Sequence, residues 1–306
     1  INPVNETPSN SQYVSNVPAG GNYYQENALV STGYNGKLSF NAAAQYKDWL
    51  YIGVNLNSHF TDYRQSTSIY EENSNNDTAG IQRLRFNTDL FTYGTGFSFQ
   101  LGTIAKVTKD LRLGIAYESP TWYNLYDELS QSLSSGRLEN SAPLSQAVNP
   151  NVTILYDVYK LQTPGKWTGS LAYVFGKSGL ISADYSIKDY SNTQFRPESD
   201  FMRTNTAMSE VLDTAGELRI GAEYRIKNWS LRAGYRMEES PYKDDKIMGN
   251  LTGYSGGLGY NFGTTRVDLS YTYAERDTQK SFLSQGFTDG AKINSSSNNV
   301  SMTLLF

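Results

Sequence analysis

Apolar and polar residues alternate with a period of two along most of the chain, in short runs separated by polar stretches. The last run is Asn299-Val300-Ser301-Met302-Thr303-Leu304-Leu305-Phe306: Val300, Met302, Leu304 and Phe306 share one face, Ser301 and Thr303 the other. Upstream, Val267, Leu269, Tyr271 and Tyr273 alternate with Arg266, Asp268, Ser270 and Thr272. Leu231, Ala233 and Tyr235 alternate with Arg232, Gly234 and Arg236, and Leu218, Ile220, Ala222 and Tyr224 with Glu217, Arg219, Gly221 and Glu223. The runs at 50–57, 111–118 and 181–188 read the same way. Such alternation predicts β-strands with one apolar and one polar face. About eleven strands are expected, near 37–46, 49–62, 91–107, 110–125, 158–175, 178–190, 213–226, 228–240, 250–262, 265–275 and 296–306.

Alternation alone does not say which face is inside. A sandwich buries the apolar face, whereas a membrane barrel turns it outward and keeps the charges within. The connections separate the two. Tight links fall at Lys47-Asp48, Lys109-Asp110, Lys177-Ser178, Lys227-Asn228 and Gly263-Thr264. Between them lie long polar stretches near 63–90, 125–157, 190–213, 240–249 and 275–293. Short turns on one side and long loops on the other are the habit of outer-membrane barrels. The fold expected is all-β, a transmembrane antiparallel β-barrel in the cell outer membrane. Residues 1–36 form an N-terminal segment on the extracellular side, and 37–306 the strands with long extracellular loops and short periplasmic turns. The closing strand, ending on Phe306, resembles the C-terminal signal of outer-membrane barrels. An odd number of strands in an even-stranded class predicts further strands outside this sequence.

Composition agrees with this picture. No apolar run reaches the length of about 18 residues that a membrane helix needs, and mean hydropathy is only -0.53. A barrel tolerates that, since only alternate residues meet lipid. The 306 residues include 24 Tyr, 13 Phe and 4 Trp, rings of the kind that form girdles at the two membrane interfaces. The net charge of -4 gives no basic footprint for nucleic acid. The start, Ile1-Asn2-Pro3-Val4, carries no signal-peptide pattern, and there is no Cys.

Several segments carry a family resemblance: Phe97-Ser98-Phe99-Gln100-Leu101-Gly102, Leu111 to Thr121, Leu171-Ala172-Tyr173-Val174-Phe175-Gly176, Leu218 to Arg225, and Leu231 to Tyr235 followed by Ser240-Pro241-Tyr242. In order and spacing they resemble the FadL/TodX outer-membrane transport family of the Bacteroidota type, over roughly residues 34–306. The resemblance implies a fourteen-stranded barrel plugged by an N-terminal hatch, which carries hydrophobic compounds, typically long-chain fatty acids, by passive diffusion. The family hatch opens with an Asn-Pro-Ala type sequence, and ligand leaves through a gap at a kinked early strand. Asn2-Pro3-Val4 lies too close to the first strand to be a hatch, and this chain is expected to lack the hatch and first strands. The expected partners are the lipid bilayer and a hydrophobic small molecule, with other outer-membrane proteins or a chain carrying the missing strands as further candidates. The alternative is a FadL-like structural subunit of a larger outer-membrane secretion or insertion complex.

Candidate chemistry falls in two places. The polar face carries Arg112, Glu118, Glu217, Arg219, Glu223, Arg225, Arg232, Arg236, Glu238, Arg266 and Asp268. These fill a polar interior as ion pairs, or leave one of Arg219, Arg232 and Arg236 for a carboxylate head group, which Arg suits through bidentate geometry. The second place is Pro120-Thr121-Trp122-Tyr123-Asn124-Leu125-Tyr126. Pro120 removes a ladder donor and marks a bend. Trp122, Tyr123, Leu125 and Tyr126 line either an acyl-chain groove or an aromatic girdle, and Phe282, Leu283 and Phe287 in the last loop cap such a groove or contact a partner.

No enzyme and no cofactor are expected. His59 is the only histidine, and without Cys no His-Cys metal cluster forms. No Gly-x-Ser-x-Gly elbow sits near a strand-to-helix turn. Gly253 to Gly259 lies in a strand rather than before a helix, so it is not a phosphate loop. Asn73, Asn75, Asn76 and Asp77 lack the ligand spacing of an EF-hand, so no metal site is expected.

Overall fold

The computed structural model describes residues 2–3, 13–14, 21–75, 80–139, 141–281 and 290–306. A two-residue bridge joins β1 (Asn2–Pro3) to β2 (Tyr13–Val14). The strands that follow are β3 (Tyr23–Tyr46), β4 (Leu50–Asn73), β5 (Gly80–Lys106), β6 (Leu111–Glu118), β7 (Trp122–Glu139), β8 (Ala142–Val148), β9 (Thr153–Leu155), β10 (Tyr159–Gln162), β11 (Lys166–Phe175), β12 (Gly179–Asp189), β13 (Gln194–Arg196), β14 (Thr214–Ile226), β15 (Trp229–Glu238), β16 (Met248–Asn261), β17 (Arg266–Lys280) and β18 (Ala291–Leu305). A 3-10 turn at Tyr190–Asn192 and one helix, α1 (Glu198–Val211), interrupt the pattern. β3 to β18 form one sixteen-stranded sheet. Among the described residues β3 pairs only with β4, and β18 only with β17.

The count exceeds eleven because some runs are broken and others extend. Three adjacent runs break at the same level: β6 from β7 at 119–121, β11 from β10 at 163–165, and β12 from β13 at 190–193. Pro120 and Pro164 cannot donate to a ladder, and hydroxyls take over. Phe99 N donates to Ser119 Oγ at 2.9 Å, and Thr121 N donates to Thr163 Oγ1 at 3.0 Å.

The chain divides into two compact units. One comprises 1–33, 63–92 and 127–156. Here stretches expected as loops are largely strand: β4 continues to Asn73, β5 begins at Gly80, and β7 turns back through β8 and β9. The residues 63–72 alternate polar with polar (Tyr63, Gln65 and Thr67 against Arg64, Ser66 and Ser68), so no apolar face announces the strand although Thr, Tyr and Ile favour it. Asn75 ties this hairpin to the start of β3, its Oδ1 accepting from Asn22 N at 2.9 Å.

The second unit comprises 34–62, 93–126 and 157–306 and holds the regular sheet. The tight links sit where expected, with left-handed backbone at Lys47, Gly176, Lys227 and Gly263. The expected loop at 190–213 contains α1. Glu198 and Asp200 lie in its first turn, where they complement the helix dipole. Asn205 fastens the helix to β13, its Oδ1 accepting from Phe195 N at 2.8 Å and its Nδ2 donating to Phe195 O at 2.9 Å.

The polarity of this sheet is inverted. Leu231 and Leu269 are 46% and 49% exposed, while the Arg232 and Asp268 side chains on the opposite face are 32% and 17% exposed. In β11 the exposed positions are Trp167, Gly169, Leu171, Tyr173 and Phe175, in strict alternation. Among the described residues the buried apolar ones are Leu125 and Ala215, whereas Asn57, Ser98, Ser119, Thr121, Ser186 and Ser230 are buried and polar. Such a face, apolar and open along its length, needs lipid as its solvent.

Candidate functional site

The polar face of β14 to β17 carries two ion-pair ladders. In the first, Glu223 accepts from Arg225 and, at 2.7 Å, from Arg232; Arg232 reaches Asp268 at 2.7 Å, and Asp268 also meets Arg266 at 2.9 Å. In the second, Glu217 meets Arg219 and, at 3.3 Å, Arg236; Arg236 meets Glu238, and Glu238 meets Arg276 at 3.1 Å. Each alternates Arg, acid, Arg, acid, Arg. The strand between β15 and β17 makes the long reach possible. Gly257 pairs with Arg232 and Gly259 with Asp268, so no side chain stands between guanidinium and carboxylate. A Cβ at Gly259 would lie 2.2 Å from Asp268 Oδ1. The glycine-rich run thus serves the ladder.

All three candidate arginines therefore carry carboxylate partners: Arg219 and Arg236 in one ladder, Arg232 in the other. A different donor is left unpaired. Beside the second ladder lies a polar cavity of about 150 Å³ lined by Lys166, Ser186, Lys188, Tyr190, Glu217, Glu238, Glu239 and Arg276, among others. Arg276 Nε is buried without a hydrogen-bond partner among the described residues. Lys188 stands 4.9 Å over the Tyr190 ring centroid. Neither Arg276 nor Lys188 was among the candidates. Arg276 lies one residue beyond the expected end of its strand, and Lys188 gave no signal beyond its place on the polar face of β12.

On β4 and β5 the polar face holds a buried hydrogen-bond network. His59 Nε2 lies 2.8 Å from Ser98 Oγ, and Asn57 Nδ2 donates to the same oxygen at 3.3 Å. Ser39 Oγ donates to Asn57 Oδ1 at 2.8 Å, and Tyr123 OH lies 3.4 Å from His59 Nδ1. Each ring nitrogen of His59 thus lies next to a hydroxyl, Ser98 on one side and Tyr123 on the other.

The four candidates on β7 do not line one groove. Alternation sends Trp122 and Tyr126 to the apolar face, and Tyr123 and Leu125 to the polar one. Trp122 joins a row of rings running through Phe99 (6.4 Å between centroids) and Tyr117 (6.2 Å onward) to Trp167 (4.5 Å onward). Tyr126 stacks on Tyr93 at 5.2 Å. Leu125 is 6% exposed and packs over Gly94, where an added Cβ would fall 2.1 Å from Asn124 O. Phe282, Leu283 and Phe287 lie outside the described residues, as do Asn76 and Asp77. Asn73 accepts from Asn75 rather than standing open, and among the described residues no group of three or more His, Cys, Asp or Glu is placed to hold a metal.

The fold has known counterparts. The toluene transporter TbuX of Ralstonia pickettii superposes with a TM-score of 0.54 at 17% identity, over 92% of this chain and 68% of that one. A Pseudomonas aeruginosa FadL homologue gives 0.53 at 14% identity, over 91% and 67%. No curated protein matches the sequence. The inverted sheet, its row of aromatics and its charged polar face are those of an outer-membrane β-barrel, and the family model for outer membrane protein transport protein (OMPP1/FadL/TodX) matches residues 15–304, so the chain belongs to that family.

Proposed function

We propose that this protein carries hydrophobic molecules of the long-chain fatty-acid type across the outer membrane by passive diffusion. The observation that carries the reading is the hairpin of β7, β8 and β9. Leu129 pairs with Ile154 and Leu133 with Val148, while Arg137 pairs with Leu144. Leu129, Leu133, Leu144, Val148 and Ile154 therefore share one face with Gln131, Ser135, Arg137 and Gln146, and the other carries Ser130, Ser132, Ser134, Ser145 and Thr153 beside Leu138, Ala147 and Leu155. Leu133, Leu144, Val148 and Ile154 are exposed. An aliphatic strip in water is costly unless it meets an apolar partner, and a solute that prefers it to water collects there. The concentration gradient then supplies the drive.

The test is uptake of a fluorescent acyl chain by cells carrying Leu133→Asp together with Val148→Asp. These residues face each other, so two carboxylates replace an aliphatic pair. Uptake at low substrate concentration is expected to fall by about tenfold, the equivalent of losing ~1.4 kcal/mol of apolar contact. Surface levels and heat-modifiable migration should be unchanged. Undiminished uptake in a properly inserted variant would remove the strip from the pathway.

A further inference from the structure

From the lysines at the tight links, we infer that this end of the sheet is a docking rim for anionic phospholipids of the periplasmic leaflet. The inference goes beyond the transport reading and stands without it.

The topology puts the links in one row. β3 with β4, β5 with β6, β11 with β12 and β14 with β15 are neighbouring antiparallel pairs, so their short connections fall at the same end of the sheet. Each of these connections carries one lysine: Lys47, Lys109, Lys177 and Lys227. Successive links lie two strands apart, or about 10 Å at the usual strand spacing. All four lysines are exposed, and among the described residues none has an ion-pair partner. The acids within the same links are Asp48 and Asp110. Two positive charges are therefore in excess here, on a chain whose net charge is -4.

The turns themselves do not call for lysine. Their left-handed position is taken by glycine at Gly176 and Gly263, but by lysine at Lys47 (φ 51°) and Lys227 (φ 54°). Glycine enters that conformation freely, whereas a Cβ meets the following carbonyl oxygen. A turn built for stability alone takes glycine at all of these positions. What lysine adds is its charge.

The surroundings identify the partner. Lys47 Nζ stands over the Tyr46 ring, 5.4 Å from its centroid, and both Tyr46 and Trp49 are exposed. Lys177 follows the exposed Phe175 by two residues, and Lys227 precedes the exposed Trp229 by two. Such rings lie at head-group level. A lysine stem runs along apolar surface while its ammonium reaches the lipid phosphates. With the tight links on the periplasmic side, as is the habit of such barrels, the leaflet they meet is phospholipid. Neither a soluble anion nor a cell-wall carboxylate needs the rings.

The experiment places the full chain in phosphatidylcholine vesicles that contain brominated phosphatidylglycerol or brominated phosphatidylcholine. Trp122→Phe with Trp167→Phe leaves Trp49 and Trp229, the indoles beside the links, as reporters. At low salt the phosphatidylglycerol should quench them with an association constant about fivefold higher than the phosphatidylcholine. Salt at about 1 M, with a Debye length near 3 Å, should abolish the preference. Adding Lys47→Gly, Lys109→Gln, Lys177→Gln and Lys227→Gly should bring the ratio to one, with heat-modifiable migration kept because the two glycines ease their turns. Lys47→Gly with Lys227→Gly alone should lower the ratio and serves if the fourfold variant does not insert. Lys47→Arg, Lys109→Arg, Lys177→Arg and Lys227→Arg together should retain the preference. A ratio of one in the protein with its lysines, or an unchanged preference in the glycine variants, overturns the inference. Retention on isolated peptidoglycan that the fourfold variant loses, without any lipid preference, would assign the rim to cell-wall carboxylates instead.

Discussion

Arg232 stands between two acids, Glu223 on β14 and Asp268 on β17, each at 2.7 Å. Among the described residues Arg225 meets Glu223 alone. The two should respond differently to loss of charge. Arg232→Gln leaves two partly buried carboxylates short of a partner across three strands and is expected to cost about 1–3 kcal/mol. Arg225→Gln removes an exposed end of the ladder and should cost no more than ~0.5 kcal/mol. Urea unfolding in lipid vesicles, followed by Trp fluorescence, measures both; equal costs would mean that the ladder acts as separate surface pairs. At this scale the sequence is informative about residue type and face but not about partnership. That Arg232, Glu223 and Asp268 share the polar face follows from parity alone. That Arg232 spans an intervening strand depends on Gly257 and Gly259 lying between them, which needs the register of β15, β16 and β17. The same gap hid Arg276 and Lys188, whose nearness across strands no local spacing reveals. The His59 to Ser98 bond also joins two strands.

At the scale of elements, what sets this sheet apart is the line of breaks across three neighbouring runs. Pro120 signalled the first. Pro164-Gly165 sits at the second, where Gly165 comes so near β6 that an added Cβ would lie 3.0 Å from Glu118 O. Beyond the third break, β13 hands the chain to α1. That helix has no buried residue of its own. It is held by Asn205 and by the stacking of Phe201 on Phe195, 5.4 Å between centroids. Asn205→Ala therefore strands the N–H and C=O of Phe195 together. The amides of 198–211 are expected to exchange with deuterium faster by about tenfold or more, while global unfolding moves by less than ~1 kcal/mol, because helix and sheet open separately. Unchanged exchange would show that the aromatic contact alone holds the helix. Neither α1 nor the polar hairpins were legible as elements. A helix without an apolar stripe and a strand without an apolar face both look like loop when hydrophobic periodicity is the signal.

Across the whole molecule the inverted polarity was the most legible property, because it repeats in every run and requires no knowledge of which strands meet. The two ends of the apolar band are also visible. One is marked by the row Trp122, Phe99, Tyr117 and Trp167; the other, next to the tight links, by Trp229, Tyr260 and Phe262 and by Tyr173 with Phe175. Along β11, Trp167 and Phe175 are eight positions apart, or about 27 Å at the usual strand rise. Tilted by the roughly 40° common in barrels, that distance covers ~20 Å of membrane thickness, close to the apolar band of such proteins. Leu171 stands halfway, exposed on the same face. Depth should therefore govern the effect of a charge. Leu171→Arg places a guanidinium near the midplane and is expected to destabilise the inserted protein by about 2–4 kcal/mol, whereas Trp167→Arg, at the interface, should introduce a charge penalty of only ~0–1 kcal/mol beyond the loss of the ring, which Trp167→Ala measures separately. Reversible unfolding from vesicles provides all three numbers. If Arg costs the same at both positions once the ring is accounted for, the aromatic rows do not mark the membrane boundary and the face between them does not meet acyl chains.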